Sequence, residues 1–133
     1  MAERVSSLLR RSVDHLAQEV PASYELTLRA LGALVVALDV DGEQFGLTGG
    51  HRLVVADTEP GRPDVCVRTS RATILDVLDA HIGLQSAIES GTVHVQGALD
   101  DVVRLHDTLR AYVHAAVRAP AQGDLLDALR AAS

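Results

Sequence analysis

The sequence is poor in aromatic side chains and in cysteine, and it contains no tryptophan, lysine or asparagine. Its aromatic residues are Tyr24, Phe45 and Tyr112, so aliphatic side chains must fill the interior. Such a core can be packed solid or can leave an apolar space, and composition leaves both open. The single cysteine, Cys66, excludes an internal disulfide and is expected to be a small strand residue rather than a nucleophile.

Positive charge and long apolar runs are scarce as well. The formal net charge of −6 argues against a nucleic-acid partner, because such partners need clustered positive charge. The apolar runs are far too short for a membrane span, and charged residues interrupt the region where a secretion signal would lie. We therefore expect one cytoplasmic domain over 1–133. Lysine and asparagine have A-rich codons, so their absence suggests a GC-rich bacterial genome.

Apolar periodicity predicts the elements of the first half of the chain. Apolar residues recur at spacings of three and four over 3–20, which predicts a helix. Residues 23–31 fit a helix or a strand, and Gly32 as a stop favours the helix. The apolar run 33–40 is typical of a central strand that is covered on both faces or faces a cavity. Turns at Asp41-Gly42 and Gly49-Gly50 then predict an antiparallel meander with strands at 44–47 and 51–56.

The second half reads as strand, helix, short helix, strand and long helix. Thr69 and Ser70 are suitable N-cap residues after a strand at 64–69. Gly83 and Gly91 are predicted to end the two helices that follow. A strand at 92–96, a long helix at 99–118 and an amphipathic C-terminal helix at 124–130 complete the pattern.

This order of elements resembles the sterol carrier protein type 2 family. The resemblance rests on VCVRTS (65–70), ILDVLDAHIGLQSAIESGTVHVQG (74–97) and ALDDVVRLHDTL (98–109), with small residues at Gly83, Ala87, Gly91 and Gly97. It extends over roughly residues 30–120, between the N-terminal and C-terminal helices. It implies an α+β fold of one domain, in which helices cover a five-stranded, mostly antiparallel sheet, and a bacterial member of the family.

The resemblance also implies a function. Members of the family enclose a lipid-sized cavity between sheet and helices and bind sterols, acyl chains or acyl-CoA. We therefore expect a non-catalytic protein without a cofactor that carries an acyl, isoprenoid, sterol-like or polyketide-like molecule. The side chains expected to line its cavity are apolar ones from the strands and the later helices: Val35, Ala37, Phe45, Leu53, Val67, Leu75, Leu78, Ile88, Leu105, Leu125, Leu126 and Leu129.

No catalytic or metal-binding motif stands out. Asp39 and Asp41 resemble the start of a calcium loop, but the later positions do not fit and a hairpin turn explains them. None of the six histidines has the spacing of a zinc helix. His94 and His106 could share a polar site if the long helix packs on its strand, with Asp107 beside them.

Two other functions stay open. A ligand-free structural or interaction domain would use the same fold, and the helix 124–130 would then dock on a partner enzyme or a second copy rather than cover a cavity. An enzyme acting inside the cavity would have to use His94, His106 or Asp107. Arg10 and Arg11 could make transient contact with anionic lipid, although a solvated helix face is the simpler expectation.

Overall fold

The computed structural model of the protein describes residues 4–131. The predicted start of the first helix at residue 3 lies outside this range. The elements in chain order are α1 (Val5–Glu19), α2 (Pro21–Leu31), β1 (Val35–Val40), β2 (Glu43–Thr48), β3 (Val54–Ala56), β4 (Val65–Thr69), α3 (Arg71–Leu78), α4 (Leu84–Glu89), β5 (His94–Gly97), α5 (Leu99–Ala116) and α6 (Gln122–Ala131).

The five strands form one sheet in the order β3-β2-β1-β4-β5. Strands β1 and β4 are parallel, and every other neighbouring pair is antiparallel. Leu38 at the centre of the sheet lies opposite Phe45 on one side and Val67 on the other. This arrangement confirms the predicted α+β class with a five-stranded, mostly antiparallel sheet.

The two faces of the sheet have different surroundings. Side chains alternate between the faces along each strand, so Leu38, Phe45 and Val67 share one face, which packs toward the helices. The opposite face carries Cys66 and Arg68, both exposed. Because the helices cover one face alone, the buried core lies on that side of the sheet.

Several local predictions are confirmed. Residues 21–31 form a helix that ends at Gly32, whose φ of 58° is the positive value that glycine adopts easily. The Ser70 side chain accepts a hydrogen bond from the Thr73 N–H and so caps α3. Asp41 and Gly42 both have positive φ in the two-residue turn between β1 and β2.

Two local predictions are wrong. Helix α3 ends at Leu78, and Ala80 rather than Gly83 takes the left-handed conformation; Gly83 instead precedes α4 in an extended conformation. Strand β3 begins at Val54, not His51. Before it, the Leu53 N–H donates to the Tyr24 hydroxyl (3.0 Å) of α2 instead of joining the sheet ladder.

A carboxylate from the β1–β2 hairpin caps α1. This helix has no side-chain cap of its own, and the Glu43 carboxylate accepts hydrogen bonds from the N–H groups of Val5 and Ser6, each 2.9 Å long. Burial alone would raise the pKa of Glu43, but the two N–H donors and the Arg4 guanidinium outweigh it and hold that pKa below its usual value. Glu43 thus attaches α1 to the sheet.

Replacing this carboxylate tests the attachment. We expect Glu43→Gln to lower the free energy of unfolding by about 1 kcal/mol at neutral pH, the usual effect of losing an N-terminal cap. Since the folded pKa of Glu43 is depressed, its contribution is complete above the unfolded pKa and is lost as the pH falls through the folded pKa. The difference between variant and parent should therefore shrink in acid, which urea unfolding at two pH values measures.

Glu25→Gln is the matched control. The Glu25 side chain on α2 is largely exposed and approaches Arg29 at 4.0 Å, a contact of little expected value. We expect Glu25→Gln to change the free energy of unfolding by less than about 0.5 kcal/mol. Equal losses in the two variants, or a Glu43→Gln loss that does not depend on pH, would contradict the capping role.

Candidate functional site

A cavity lies between the helix-covered face of the sheet and the helices. The cavity has a volume of about 200 Å³. Its wall is almost wholly apolar. Apolar cavities accept apolar molecules, so the cavity is the candidate functional site.

The sheet forms the floor of the cavity. Leu38 of β1, Phe45 and Leu47 of β2 and Val67 of β4 all face it, because they occupy alternate positions on neighbouring strands. The sheet pairing brings Leu38, Phe45 and Val67 into one row. Phe45 is fully buried and is the aromatic side chain of the floor.

The helices form the walls. Helices α1, α3, α5 and α6 contribute apolar residues at helical spacing, so a stripe of each of these four helices faces inward. The wall residues of the four main helices are Val5, Leu8, Leu9 and Val13 of α1; Ile74, Val77 and Leu78 of α3; Leu109 and Val113 of α5; and Leu125, Leu126 and Leu129 of α6.

The structure places seven of the twelve predicted lining residues around the cavity. These seven are Phe45, Leu53, Val67, Leu78, Leu125, Leu126 and Leu129. The other five do not line it: Val35, Ala37, Leu75, Ile88 and Leu105. Leu75 and Leu105 are buried in the hydrophobic core. Ile88 packs against that core from the short helix α4.

Val35 and Ala37 lie on the other face of the sheet. Ala37 is paired with Gly46 and Cys66, and all three belong to the face that the helices do not cover. The cavity-facing residues of β1 are Leu38 and Val40 instead. The prediction for β1 was therefore wrong by one residue, which exchanges the two faces of a strand.

Sequence reasoning missed the contributions of α1 and α5. The apolar stripe of α1 was recognised, but nothing in it indicated that Val5, Leu8 and Val13 would face a cavity rather than a solid core. The same holds for Leu109 and Val113 of α5. Helical periodicity shows which face is buried and carries no information on what that face meets.

A small polar network joins three of the wall helices. The Ser12 hydroxyl of α1 is hydrogen-bonded to the Tyr112 hydroxyl of α5 and donates to Gln122 Oε1 of α6 (3.1 Å). Gln122 Nε2 donates back to the Ser12 carbonyl (3.4 Å). Burial raises the pKa of the Tyr112 hydroxyl, against the smaller opposite effect of the bond to Ser12. The network therefore attaches α6 to α1 and α5 through hydrogen bonds between uncharged groups.

Helix α6 is also held at both ends by charged groups. Near its start, the Ala121 N–H donates to a carboxylate oxygen of Glu19 (3.1 Å). Near its end, Arg130 Nη2 lies 2.8 Å from Asp79 Oδ2, just after α3. Between these points Leu125 and Leu129 are buried against the cavity. Helix α6 thus spans the cavity from α1 to α3.

The structure does not bring His94 and His106 together. His94 lies on the uncovered face of the sheet, in a polar groove with Asp39, Glu59 and Arg68. His106 is half-buried on α5, on the side of the sheet that holds the cavity. Among residues 4–131, no three or more His, Cys, Asp or Glu side chains lie close enough to hold a metal ion.

Arg10, which the sequence suggested as a lipid contact, has partners within the protein. Its Nη2 donates to the Val55 carbonyl (2.9 Å) and to Asp57 Oδ1 (2.8 Å). These bonds attach α1 to the edge strand β3. None of the helices in the described part of the chain combines the length and hydrophobicity that a bilayer span needs.

Comparison with known protein families identifies the family of this chain. The SCP-2 sterol transfer family matches residues 8–110, and the chain belongs to that family. The match begins within α1 and ends within α5, and therefore includes the whole sheet and most of the cavity wall. The resemblance drawn from the sequence is thereby confirmed. Bacterial origin stays a prediction, and no curated protein matches the chain.

Solved structures share the fold at low sequence identity. A protein described as "UbiJ-SCP2 Ubiquinone synthesis protein" is similar with a TM-score of 0.63 and 18% identity, over 84% of this chain and 90% of its own. A possible sterol carrier protein of Thermus thermophilus is similar with a TM-score of 0.57 and 15% identity, over 88% of this chain and 91% of its own. Apo sterol carrier protein 2 of Yarrowia lipolytica is similar with a TM-score of 0.53 and 11% identity, over 81% of this chain and 88% of its own.

Proposed function

We propose that the protein binds an apolar small molecule in the cavity and carries it without changing it chemically. The observation that supports this most is the cavity itself, about 200 Å³ of space inside an almost wholly apolar wall. Membership of a sterol transfer family agrees with it. Among the described residues, no acidic, basic or thiol side chain lines the cavity, which favours carriage over catalysis.

The affinity would come from apolar area removed from water. At roughly 25 cal/mol per Å², a ligand that buries about 400 Å² gains about 10 kcal/mol before the costs of association. These costs leave an expected dissociation constant in the micromolar range. Acyl and isoprenoid chains have the necessary surface. The ubiquinone-synthesis description of one structural neighbour makes an isoprenoid ligand and a partner enzyme reasonable candidates.

A cavity-filling substitution tests the proposal. Val113 lines the cavity from α5, and a larger ring at this position would occupy the space of the ligand. We expect Val113→Trp to weaken binding of a fluorescent 16-carbon fatty acid at least tenfold, measured by titration. Overpacking costs about 1–3 kcal/mol, so the variant should stay folded, which circular dichroism and thermal unfolding check.

Val103→Trp is the matched control. Val103 lies on the same helix but is 53% exposed, so the same ring added there should leave affinity within about twofold. A folded Val113→Trp protein that binds as tightly as the parent would rule out the cavity as the binding site. A parent protein that binds no apolar probe, and carries none when purified, would overturn the proposed function.

A ligand-free interaction domain is the second candidate. The observation that favours it is the sheet face that the helices leave uncovered, where Cys66, Arg68 and Gln96 are exposed. A second copy or a partner enzyme could dock there. Size-exclusion chromatography with light scattering separates the two functions. A protein that stays monomeric at every concentration and still binds lipid would leave no role for self-association.

A further inference from the structure

Helix α5, together with the residue that ends it, leaves three large apolar side chains in water. Leu99 is 77% exposed, Val103 is 53% exposed and Val117 is 60% exposed. Most of the exposed large apolar side chains in the described part of the chain therefore belong to this one helix. At 3.6 residues per turn the three lie within about 40° of one another around the helix axis, along about 27 Å of its length. An apolar stripe that is exposed over such a distance indicates an interaction surface.

Polar side chains continue this stripe between its apolar ends. Asp107, Arg110 and His114 are exposed and lie within about 80° of Leu99 around the helix axis. Within residues 4–131, no ion pair involves Asp107 or Arg110. The six residues of the stripe form what we call the α5 ridge: Leu99, Val103, Asp107, Arg110, His114 and Val117. The ridge thus presents unpaired charge of both signs at its centre and apolar side chains toward its ends.

The order of residues along the α5 ridge is complementary to itself when it is reversed. Leu99 and Val117 are equally far from Thr108 in the chain, and Asp107 and Arg110 lie close to Thr108 on its two sides. A second copy that lies antiparallel on the ridge, with a two-fold axis near Thr108, would bring Leu99 onto Val117 and Asp107 onto Arg110, each of them twice. A parallel copy would instead place like charges together.

The rest of the helix has the same polarity. Asp100 and Asp101 lie in the first turn of α5, and Arg118 follows its end. No acidic residue of α5 comes after Asp107. Antiparallel contact would therefore place the acidic half of one helix on the basic half of the other. It would also bring the positive end of each helix dipole beside the negative end of its neighbour.

We propose that two copies of the chain associate through the α5 ridge as a two-fold, antiparallel dimer. One pair of helices in contact over about 27 Å makes a small interface, so the association is weak, with an expected dissociation constant of about 10–100 µM. The ridge suits a second copy better than a bilayer, because anionic lipid would repel Asp107 and the hydrocarbon would take its water without providing a partner. The dimer does not depend on a bound ligand.

Reversing the two central charges one at a time tests the dimer in the full-length chain, by analytical ultracentrifugation at about 5–500 µM protein. Asp107→Arg alone sets positive charge against Arg110 of the second copy, and Arg110→Asp alone sets negative charge against Asp107. Each variant should dimerise about tenfold more weakly than the parent, or worse. Mixing the two variants in equal amounts should restore dimers to within about threefold of the parent affinity, because every central contact then joins opposite charges. Circular dichroism checks that both variants are folded.

Glu59→Arg is the matched control, because it changes the net charge as Asp107→Arg does. Glu59 is exposed beside the polar groove on the uncovered face of the sheet, so its reversal should leave dimer affinity within about twofold. A dimer that Glu59→Arg weakens and Asp107→Arg does not would overturn the proposal and place the contact on the uncovered face. Failure of the mixed variants to dimerise would overturn the antiparallel pairing. A parent that stays monomeric at about 500 µM would overturn the dimer, and pelleting of that monomer with phosphatidylglycerol vesicles would assign the ridge to a membrane instead.

Discussion

A chain that ends after Ala119 should still fold, but it should release a bound apolar molecule at least about 50 times faster than the full chain. The shortened chain lacks α6, whose Leu125, Leu126 and Leu129 face the cavity. If these side chains supply roughly 100 Å² of contact with a bound chain, their loss removes about 2.5 kcal/mol of binding. This equals a factor of about 70 in affinity, most of which appears in the dissociation rate.

Folding should survive because the sheet and α1 to α5 lie upstream of the cut. Removing the helix loses the burial of Leu125 and Leu129, which stabilises the domain, but it also removes the backbone entropy cost of ordering the helix, which opposes that gain. We therefore expect cooperative unfolding at a moderately lower melting temperature. Stopped-flow release of a fluorescent fatty acid and thermal unfolding measure the two quantities.

A chain that ends after Ala131 is the control, because it keeps α6 entire. Its release rate and melting temperature should match those of the full chain. If the cut after Ala119 unfolds the domain, α6 is an indispensable part of the core. If that cut changes neither ligand release nor stability, α6 does not close the cavity, and a role in docking a partner becomes the better explanation.

The order of elements could be predicted from the sequence because local signals define it. The Asp41-Gly42 turn has a backbone conformation that few other residue pairs adopt easily, and it set the first hairpin correctly. Gly32 and Ser70 mark helix ends by the same kind of local chemistry. The predicted end of α3 was wrong because the local signal there is ambiguous. The helix ends at Leu78, so Ala80 adopts the left-handed conformation that was expected of Gly83.

The composition of the cavity could be predicted only in part. Strand β1 is apolar at Val35, Val36, Ala37 and Leu38, so alternation could not show which set faces the helices. That choice depends on long-range pairing with β2 and β4. Strand β4 has a clearer pattern than β1. Val67 alternates there with the exposed Cys66 and Arg68, and the structure places Val67 on the cavity side, as predicted.

The position of α6 beside the cavity could be predicted in part. Its three leucines stand on one stripe, and this was visible in the sequence. The contacts that position the helix were not, because they connect residues far apart in the chain. Arg130 meets Asp79, and Gln122 meets Ser12, about a hundred positions away. Neither pair carries a local pattern that would reveal its partner.

Val67→Asp should be the most damaging single substitution on the floor of the cavity, because it places a carboxylate in the apolar space at the centre of the sheet. Val67 is 4% exposed and has Leu38 and Val95 as its neighbours across the strands. An unpaired carboxylate buried there costs several kcal/mol, a large fraction of the roughly 5–15 kcal/mol that stabilises a typical domain. We expect a loss of at least about 3 kcal/mol in urea unfolding and no binding of apolar ligand at neutral pH.

Cys66→Asp is the matched control, one residue away on the same strand. Its side chain points to the uncovered face of the sheet, where it is exposed. The carboxylate stays in water there, so the cost should be about 1 kcal/mol or less, the strand preference of aspartate alone. Protonation removes the buried charge, so the stability difference between Val67→Asp and the parent should narrow in acid, while the Cys66→Asp difference should hardly change. Equal losses at the two positions would contradict the assignment of the two faces, and with it the floor of the cavity.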